Sequence, residues 1–373
     1  MILRPFHILF RLMIFAVVIG STSACSSFGG DHTESDLDRY RKSPQYSVDQ
    51  ERFVNDRQEI IDQMKDKMFT WDGLTRRMFK GEHKVPEQKL PEETVSRDFF
   101  SSDSEKGKVI WLGHSSFLLR IDQKTILIDP VFANAGPFSF VGKRFQEPVL
   151  KLEDIPKVDL VLISHDHYDH LEMKTVRHLK DKGTRFIVPI GIGRHLAYWG
   201  VPQDRIHEKD WWQTETIGNL TITTAPARHY SGRSGFLDND TLWASYVITN
   251  GVTNLYFSGD SGYGEHFREI GQKLGPFDIA FLENGQYHEI SREVHMYPED
   301  VIKAFQNLNA KHLFPIHWGV FALSKHSWFE PIVKIRDLAE AVGVSIVVPK
   351  FGQEMDLAEI TGFNDWWSSF IPQ

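Results

Sequence analysis

The sequence predicts an α/β fold, with strands in sheets and helices outside them, preceded by a mostly helical N-terminal extension. Two observations favour this class. From residue 108 onward, short apolar or alternating runs typical of β-strands recur along the chain. Longer stretches in which apolar residues have helical spacing lie between and after them. The predicted strands are 109–112, 116–121, 125–128, 160–163 and 185–189, and the predicted helices are 173–182, 264–274, 298–308 and 331–342.

Residues 1–24 are typical of an export signal. Arg4 and Arg11 make a basic start, residues 12–20 form an apolar core too short to span a bilayer, and small residues follow. Cys25 is the only cysteine of the chain and stands where bacterial lipoproteins carry their lipid, so it is predicted to be lipidated and to attach the protein to a membrane. Thr22 departs from that pattern, and the alternative is ordinary cleavage after Ala24. We therefore expect an exported protein of the cell envelope, an outer-membrane lipoprotein facing the periplasm.

The remaining chain divides into a tether with a helical extension, 25–105, and a main domain, 106–373. Residues 26–46 are polar and predict a tether. Over 48–79, helically spaced apolar residues predict a helix or helix pair packed on the main domain, the alternative being a membrane-facing or dimerising helix. These apolar residues are Phe53, Ile60, Ile61, Met64, Met68 and Phe69.

The charge balance excludes one class of partner. The 373 residues carry a formal net charge of −8, whereas nonspecific nucleic-acid binding leaves a basic footprint. We therefore expect no nucleic-acid partner, while a homodimer stays open.

Four potential metal ligands stand within six positions of one short segment. His165, His167, Asp169 and His170 follow the apolar run 158–163, which predicts a buried strand that holds the segment rigidly. Imidazole and carboxylate are the usual nitrogen and oxygen ligands of zinc. His165 and His167 can share one ion, while Asp169 and His170 can reach a second.

Three further ligand candidates each follow an apolar strand. His229 comes after 220–224, Asp260 ends 255–260, and His317 ends 313–317. Two ions need more than the four ligands of the first segment, and these three residues can supply the rest.

The order of these residues resembles the metallo-β-lactamase superfamily of binuclear hydrolases, over about residues 106–360. The resemblance implies a four-layer αββα sandwich with two metals at one edge. Carried over by position, His165, His167 and His229 would bind the first metal, Asp169, His170 and His317 the second, and Asp260 would bridge them. Zinc is favoured, because iron-using redox members carry a carboxylate where His167 stands; manganese and iron are the alternatives.

A narrower resemblance is to the branch that contains the N-acyl-phosphatidylethanolamine-hydrolysing phospholipase D. It rests on segments 111–117, 128–132, 259–263, 295–300 and 315–323. This branch implies phospholipase-D-like cleavage of a phosphodiester by a hydroxide that bridges the metals. Asp169 or Asp260 would orient the hydroxide or accept its proton, and His295 would contact the leaving group or the phosphate.

Two alternatives stay open on the same residues. The first is a lactonase or ester hydrolase with a small ester as substrate in place of a phospholipid. The second is a non-catalytic metal-binding envelope lipoprotein, although structural zinc is usually closed by four ligands and this set leaves a position for water.

Several other side chains are candidates for supporting roles. His114 could lie beneath the site and donate to a metal-bound carboxylate, the alternative being a satisfied core histidine, and Asp129 could hold a ligand histidine or cap a turn. Arg144, Arg228 and Arg233 could clamp a phosphate or be ordinary surface charges. Aromatic residues are expected near the mouth of the site, although most of them should be core; they are Phe138, Phe140, Trp199, Trp211, Trp212, Trp243, Trp318 and Phe321.

Overall fold

The structure, a computed structural model, describes residues 26–68, 70, 81–233, 239–360 and 365–372. Its strands are β1 Tyr46–Ser47, β2 Arg52–Phe53, β3 Lys108–Gly113, β4 Ser116–Ile121, β5 Lys124–Ile128, β6 Leu160–Leu162, β7 Arg185–Pro189, β8 Ile206–Lys209, β9 Thr214–Ile217, β10 Leu220–Ala225, β11 Ser245–Thr249, β12 Asn254–Phe257, β13 Phe277–Glu283, β14 Ala310–Ile316 and β15 Glu354–Asp356. Its helices are α1 Glu34–Tyr40, α2 Gln58–Met68, α3 Met173–Leu179, α4 Gly193–Tyr198, α5 His266–Leu274, α6 Pro298–Leu308 and α7 Glu330–Val342.

Two large sheets pack face to face. One has seven strands in the order β15-β3-β4-β5-β6-β7-β8, and the other has six in the order β14-β13-β12-β11-β10-β9. Phe117 on β4 contacts aromatic rings from the opposite sheet, with centroid distances of 4.8 Å to Phe281 and 5.3 Å to Phe314. Strands such as β6 are buried throughout, which explains their continuous apolar sequences.

Helices cover the outer faces of both sheets. On the seven-stranded sheet, α3 and α4 supply Val176, Leu179 and Leu196 to a second apolar cluster. On the six-stranded sheet, α6 and α7 supply Val301 and Ile332 to the main core. The resulting order of layers is the αββα sandwich that the resemblance implied, and the chain has the metallo-β-lactamase fold.

The helix ends follow local signals. Pro298 lies in the first turn of α6, where its missing N–H costs no hydrogen bond, and the helix ends at Asn309 in the left-handed conformation. The predicted helix 298–308 coincides with α6, and the one predicted over 331–342 begins one residue earlier, as α7. The helix predicted over 173–182 is shorter, because α3 ends at Leu179.

Strand direction brings the predicted ligands to one edge. β5, β6 and β7 are parallel, so Asp129 and the segment after β6 leave the first sheet on the same side. In the second sheet β12, β13 and β14 are parallel, and β10 runs the same way because two antiparallel pairings separate it from β12. His229, Asp260 and His317 therefore emerge at a common edge.

The N-terminal extension packs on the main domain. The polar stretch 26–46, predicted as a tether, contains α1, whose Tyr40 is buried with Phe53 against Leu242 and Trp243. The predicted packing of the next helix is confirmed for Ile61 and Met64, two buried apolar residues of α2 that form a cluster with Val294. No helix in the described ranges is long and apolar enough to cross a membrane. The predicted signal 1–24, Cys25, Phe69 and residues 71–79 lie outside the described residues.

Candidate metal centre

The segment after β6 is folded into a tight turn. The amides of His170 and Leu171 both donate to the carbonyl of His167, at 3.1 and 2.8 Å. The buried guanidinium of Arg233 donates to the carbonyls of Asp166 and Leu171, at opposite ends of the turn. The turn is thus fixed by groups outside the ligand set.

Four side chains converge in what we call the first cluster: His165, His167, His229 and Asp260. His167 Nδ1 lies 2.9 Å from His165 Nε2 and 3.2 Å from His229 Nε2. Asp260 Oδ2 lies 3.8 and 3.7 Å from the Nε2 atoms of His165 and His229.

The second cluster consists of Asp169, His170 and His317 around the other oxygen of Asp260. Asp260 Oδ1 lies 3.2 Å from His170 Nε2 and 3.0 Å from His317 Nδ1. His170 Nε2 lies 3.5 Å from Asp169 Oδ2. Since its two oxygens face different clusters, Asp260 occupies the position of a bridging ligand. All seven predicted ligands are therefore brought together.

Backbone conformation places the two residues that the second sheet contributes to this cluster. Asp260 follows Gly259, which has a φ of +56° and whose Cβ, if it had one, would lie 2.6 Å from that of Ser164. His317 itself has a φ of +69°, in the left-handed region that non-glycine residues adopt infrequently. Its amide donates to the carbonyl of His114 at 3.0 Å, which fixes this conformation.

Outer hydrogen bonds orient the histidines. Asp129 is fully buried and binds His170 Nδ1 at 2.7 Å and Ser164 Oγ at 2.5 Å, while Ser164 Oγ lies 2.9 Å from His165 Nδ1. His229 Nδ1 lies 3.1 Å from the carbonyl of Val294. With the Nδ1 protons directed outward, the Nε2 lone pairs of these three histidines face the clusters.

The expected roles of His114 and Asp129 agree with these contacts. His114 Nε2 lies 2.9 Å from Asp169 Oδ2, so it supports a carboxylate of the second cluster, and Asp129 holds the ligand histidine His170.

Burial and charge set the protonation of the site. Burial holds the pKa of His165 and His229 well below the ordinary value and lowers the pKa of His167 to about 4. Burial opposes ionisation of Asp260, but the neighbouring His170 and His317 hold its pKa well below the usual range. Conversely, burial disfavours a charge on His170, yet Asp260, Asp169 and Asp129 raise its pKa well above normal.

These groups fit divalent metal ions. Neutral imidazole nitrogens point at one another at distances where two lone pairs repel, and His170 Nε2 and Asp260 Oδ1 are buried without a hydrogen-bond partner. A cation removes both penalties, because it accepts lone pairs from nitrogen and oxygen together. Binding at the second cluster would also displace the proton of His170.

His295 lies beside the clusters and is paired with a buried carboxylate. Its Nδ1 is 2.7 Å from Glu283 Oε1, and the Ser261 amide donates to Glu283 Oε2. Burial, then the charge of Asp260, raises the pKa of Glu283 well above normal. Our sequence analysis missed Glu283, although it ends the apolar strand β13 just as Asp260 and His317 follow theirs.

A cleft of about 750 Å³ opens onto the clusters. His167, Asp169, Asp260, His295 and His317 lie at its floor. Its outer lining is mixed, with apolar and cationic side chains; these include Val85, Phe140, Leu323, Lys84, Lys143 and Lys325.

The three arginines considered for a phosphate clamp have other partners. Arg228 forms a two-pronged ion pair with Asp56, at 3.0 and 2.6 Å, and Arg144 donates to backbone carbonyls such as that of Val131. Arg233 binds the ligand turn, and none of the three lines the cleft. Of the aromatic candidates only Phe140 lines it, while Trp243, Trp318 and Phe321 are buried.

Comparison with known proteins agrees with this geometry. A family model described as the beta-lactamase superfamily domain matches residues 124–318. An uncharacterised protein of Mycobacterium tuberculosis is 38% identical over 322 residues, which span 84% of this chain and 83% of that protein. The N-acyl-phosphatidylethanolamine-hydrolyzing phospholipase D 1 of Caenorhabditis elegans is 32% identical over 274 residues, 69% of this chain and 76% of the relative.

Among solved structures, a metallo hydrolase from the archaeon Ignicoccus hospitalis shares the fold. Its TM-score is 0.53 at 22% identity, covering 67% of this chain and 97% of that chain. The chain belongs to the metallo-β-lactamase superfamily, in a branch that resembles the N-acyl-phosphatidylethanolamine phospholipases D, and it is a metal-dependent hydrolase.

Proposed function

We propose that this metallo-β-lactamase superfamily member is a binuclear zinc phosphodiesterase that cleaves phospholipids of the N-acyl-phosphatidylethanolamine type and releases phosphatidic acid. The observation that carries the proposal is the cleft of about 750 Å³ above two clusters that share Asp260. The substrate named for the Caenorhabditis elegans relative supports the lipid class. A small lactone would leave most of such a cleft empty, which favours the phospholipid over the lactonase alternative.

The first cluster would hold one zinc ion and the second cluster the other, with Asp260 between them. Nitrogen and oxygen donors without thiolates suit zinc and also admit manganese or iron. When bound, the two ions would supply an ionised water near neutral pH and neutralise charge on the phosphoryl oxygens.

Asp169 would receive the proton of the attacking water. It lines the cleft, and His114 binds its Oδ2 at 2.9 Å, which fixes the carboxylate. Burial opposes its ionisation, yet the charge of His170 holds its pKa well below the ordinary value, so it is an acceptor at neutral pH.

His295 would act on the leaving group. Its Nδ1 is engaged by Glu283, and its ring lines the cleft. Burial raises the pKa of Glu283 and lowers the pKa of His295, which together favour a proton on the carboxyl group beside a neutral imidazole. That proton leaves His295 with an N–H at Nε2, a donor for the departing alkoxide oxygen of the head group.

The test is to incubate the zinc-loaded full chain with vesicles containing N-acyl-phosphatidylethanolamine and to follow products by mass spectrometry. Wild type and the surface control Asp154→Asn should release phosphatidic acid and an N-acylethanolamine. Asp169→Asn should lower turnover by about 10²–10⁴-fold, the usual contribution of general acid–base catalysis.

Wild-type turnover in Asp169→Asn would overturn the assigned role of that residue. If the protein hydrolyses a simple lactone or ester but forms no product from the phospholipid, the lactonase or ester hydrolase alternative is correct. Bound metal should be counted on the same samples, because two zinc ions per chain are required by the proposal.

The proposed setting is the cell envelope. The apolar run 12–20, the small residues before Cys25 and a substrate that resides in membranes all support export and lipid attachment. Metabolic labelling with a fatty acid in an expressing bacterium should mark wild type and leave Cys25→Ser unlabelled.

A further inference from the structure

Cations without partners surround the mouth of the cleft. Lys84, Lys143 and Lys325 line it, and none of them has a carboxylate partner in the described part of the chain. Burial, and secondarily the charge of Lys325, lowers the pKa of Lys84. In a chain of net charge −8, three such lysines at one opening are a local concentration of positive charge.

Exposed apolar side chains lie between these lysines. Eight large hydrophobic residues are exposed in the described ranges, and four of them belong to the mouth. Phe140, at 70% exposure, Val85 and Leu323 line the cleft, and Val141 is the neighbour of Phe140. Such clustering at one opening is unlike the scatter of single apolar residues on an ordinary surface.

The segments that carry these side chains are held in place. In the loop 134–142, the amide of Ala135 donates to the carbonyl of Gly142 at 2.9 Å and that of Val141 to Phe138 at 3.0 Å. The ring of Phe138 stacks on Phe140 with centroids 5.4 Å apart. The amides of Leu323 and Ser324 both donate to Gln286 Oε1 at 2.9 Å. These two parts of the rim are thus held in place, which limits the conformational entropy that they lose on binding.

The start of the described chain lies against the same loop. Ser27 Oγ donates to the carbonyl of Pro137 at 3.3 Å, and Trp199 Nε1 donates to the carbonyl of Ser26 at 2.7 Å. A lipid on Cys25, directly before Ser26, would therefore join the chain beside the loop that presents Phe140.

We propose that this rim docks on an anionic lipid bilayer, with Phe140, Val141, Val85 and Leu323 entering the interface and Lys84, Lys143 and Lys325 contacting lipid phosphates. The proposal rests on the phospholipid substrate proposed above and adds the surface by which the cleft meets it. Basic side chains attract anionic lipid, and apolar ones gain free energy by leaving water, so both kinds are needed.

The test is vesicle co-sedimentation of full-length protein that carries Cys25→Ser in every sample, so that no lipid anchor contributes. Vesicles are either phosphatidylcholine alone or phosphatidylcholine with a third of phosphatidylglycerol. Binding to the anionic vesicles should fall about a hundredfold when Lys84, Lys143 and Lys325 are all changed to Gln. It should fall about tenfold in Phe140→Ser.

Matched controls distinguish the effect of the rim residues on vesicle binding from the effect of total charge or total apolar area. The triple change to Gln at the exposed Lys106, Lys151 and Lys174, which do not line the cleft, removes the same charge and should leave binding unchanged. Val252→Ser is the apolar control. Binding should persist in Asp169→Asn, so docking is read independently of hydrolysis, and a failure of the proposed reaction would leave this result standing.

Equal binding of the rim and control triple variants would overturn the proposal, as would equal binding of wild type to the two vesicle types. If inorganic phosphate at low millimolar concentration binds wild type but not the rim variant, while vesicles bind neither, the lysines serve a soluble anion and the bilayer is excluded.

Discussion

Asp129→Asn tests how far the ligands depend on one buried residue that touches no metal position. Asp129 is fully buried and receives three hydrogen bonds, from the Ser164 amide and hydroxyl and from His170 Nδ1, at 2.7, 2.5 and 2.7 Å. Asparagine has nearly the same size as aspartate and keeps one side-chain oxygen, which can still accept from the Ser164 amide. Its NH₂ group, however, replaces Oδ2, the atom to which both the Ser164 hydroxyl and His170 donate.

The consequence falls on His170. A donor facing a donor is unfavourable, so the imidazole relieves the conflict by moving its proton from Nδ1 to Nε2. Nε2 is the atom that faces Asp260 Oδ1 at 3.2 Å, so the proton would stand where the ion must bind. Losing an outer partner of a ligand histidine typically weakens metal binding by about 10–100-fold, which corresponds to about 1.4–2.7 kcal/mol.

The assay is a zinc titration against a chromophoric chelator, on wild type, Asp129→Asn and the exposed control Asp154→Asn. Wild type and control should give two tight sites, and Asp129→Asn one site weakened by the stated factor. If Asp129→Asn binds both ions with wild-type affinity and circular dichroism shows an unchanged fold, the inferred dependence of His170 on Asp129 is refuted.

Three further outcomes are expected. Arg233→Lys should destabilise the fold by about 2–4 kcal/mol, because a lysine cannot reach the carbonyls of both Asp166 and Leu171; calorimetry should show a lower Tm, and an unchanged Tm contradicts the clamp. Burial lowers the pKa of His195 to about 4, below the unfolded value of about 6.5, so protonation favours the unfolded chain. The contribution of His195 to the free energy of unfolding is complete above pH 6.5 and falls by about 1.4 kcal/mol per pH unit down to pH 4. Urea titrations should therefore show that the free energy of unfolding falls less steeply with decreasing pH in His195→Gln than in wild type. Chelation of metal should lower the Tm of wild type, since zinc at 1,000 times its Kd stabilises by about 4 kcal/mol per site, whereas a Tm that chelator leaves unchanged would contradict both clusters.

The sequence was sufficient for the ligands because strand ends are visible in it. Each of His229, Asp260 and His317 follows an apolar run, and parallel strands bring such ends to one edge without further information. The same rule applies to Glu283, which ends the apolar strand β13 and was not considered in the sequence.

The cationic rim could not be predicted in this way. Lys84 precedes the main domain, Lys143 lies in the loop after β5, and Lys325 follows β14. No periodicity links residues so far apart in sequence. Each of these lysines, taken alone, is typical of a solvated surface charge. The role of the arginines could not be decided from the sequence for a related reason, since a guanidinium binds backbone carbonyls as readily as phosphate, and only the fold distinguishes the two.

The N-terminal extension is part of the support of the centre. Asn55 Nδ2 donates to the carbonyl of His229 at 2.8 Å, Asp56 pairs with the adjacent Arg228, and Lys65 Nζ donates to Asn239 Oδ1 at 3.0 Å. Similarity to the Mycobacterium tuberculosis relative covers more of the chain than the family model, which begins at residue 124. The backbone that presents His229 to the first cluster is therefore held by residues of the extension, which lie before the range that the family model matches.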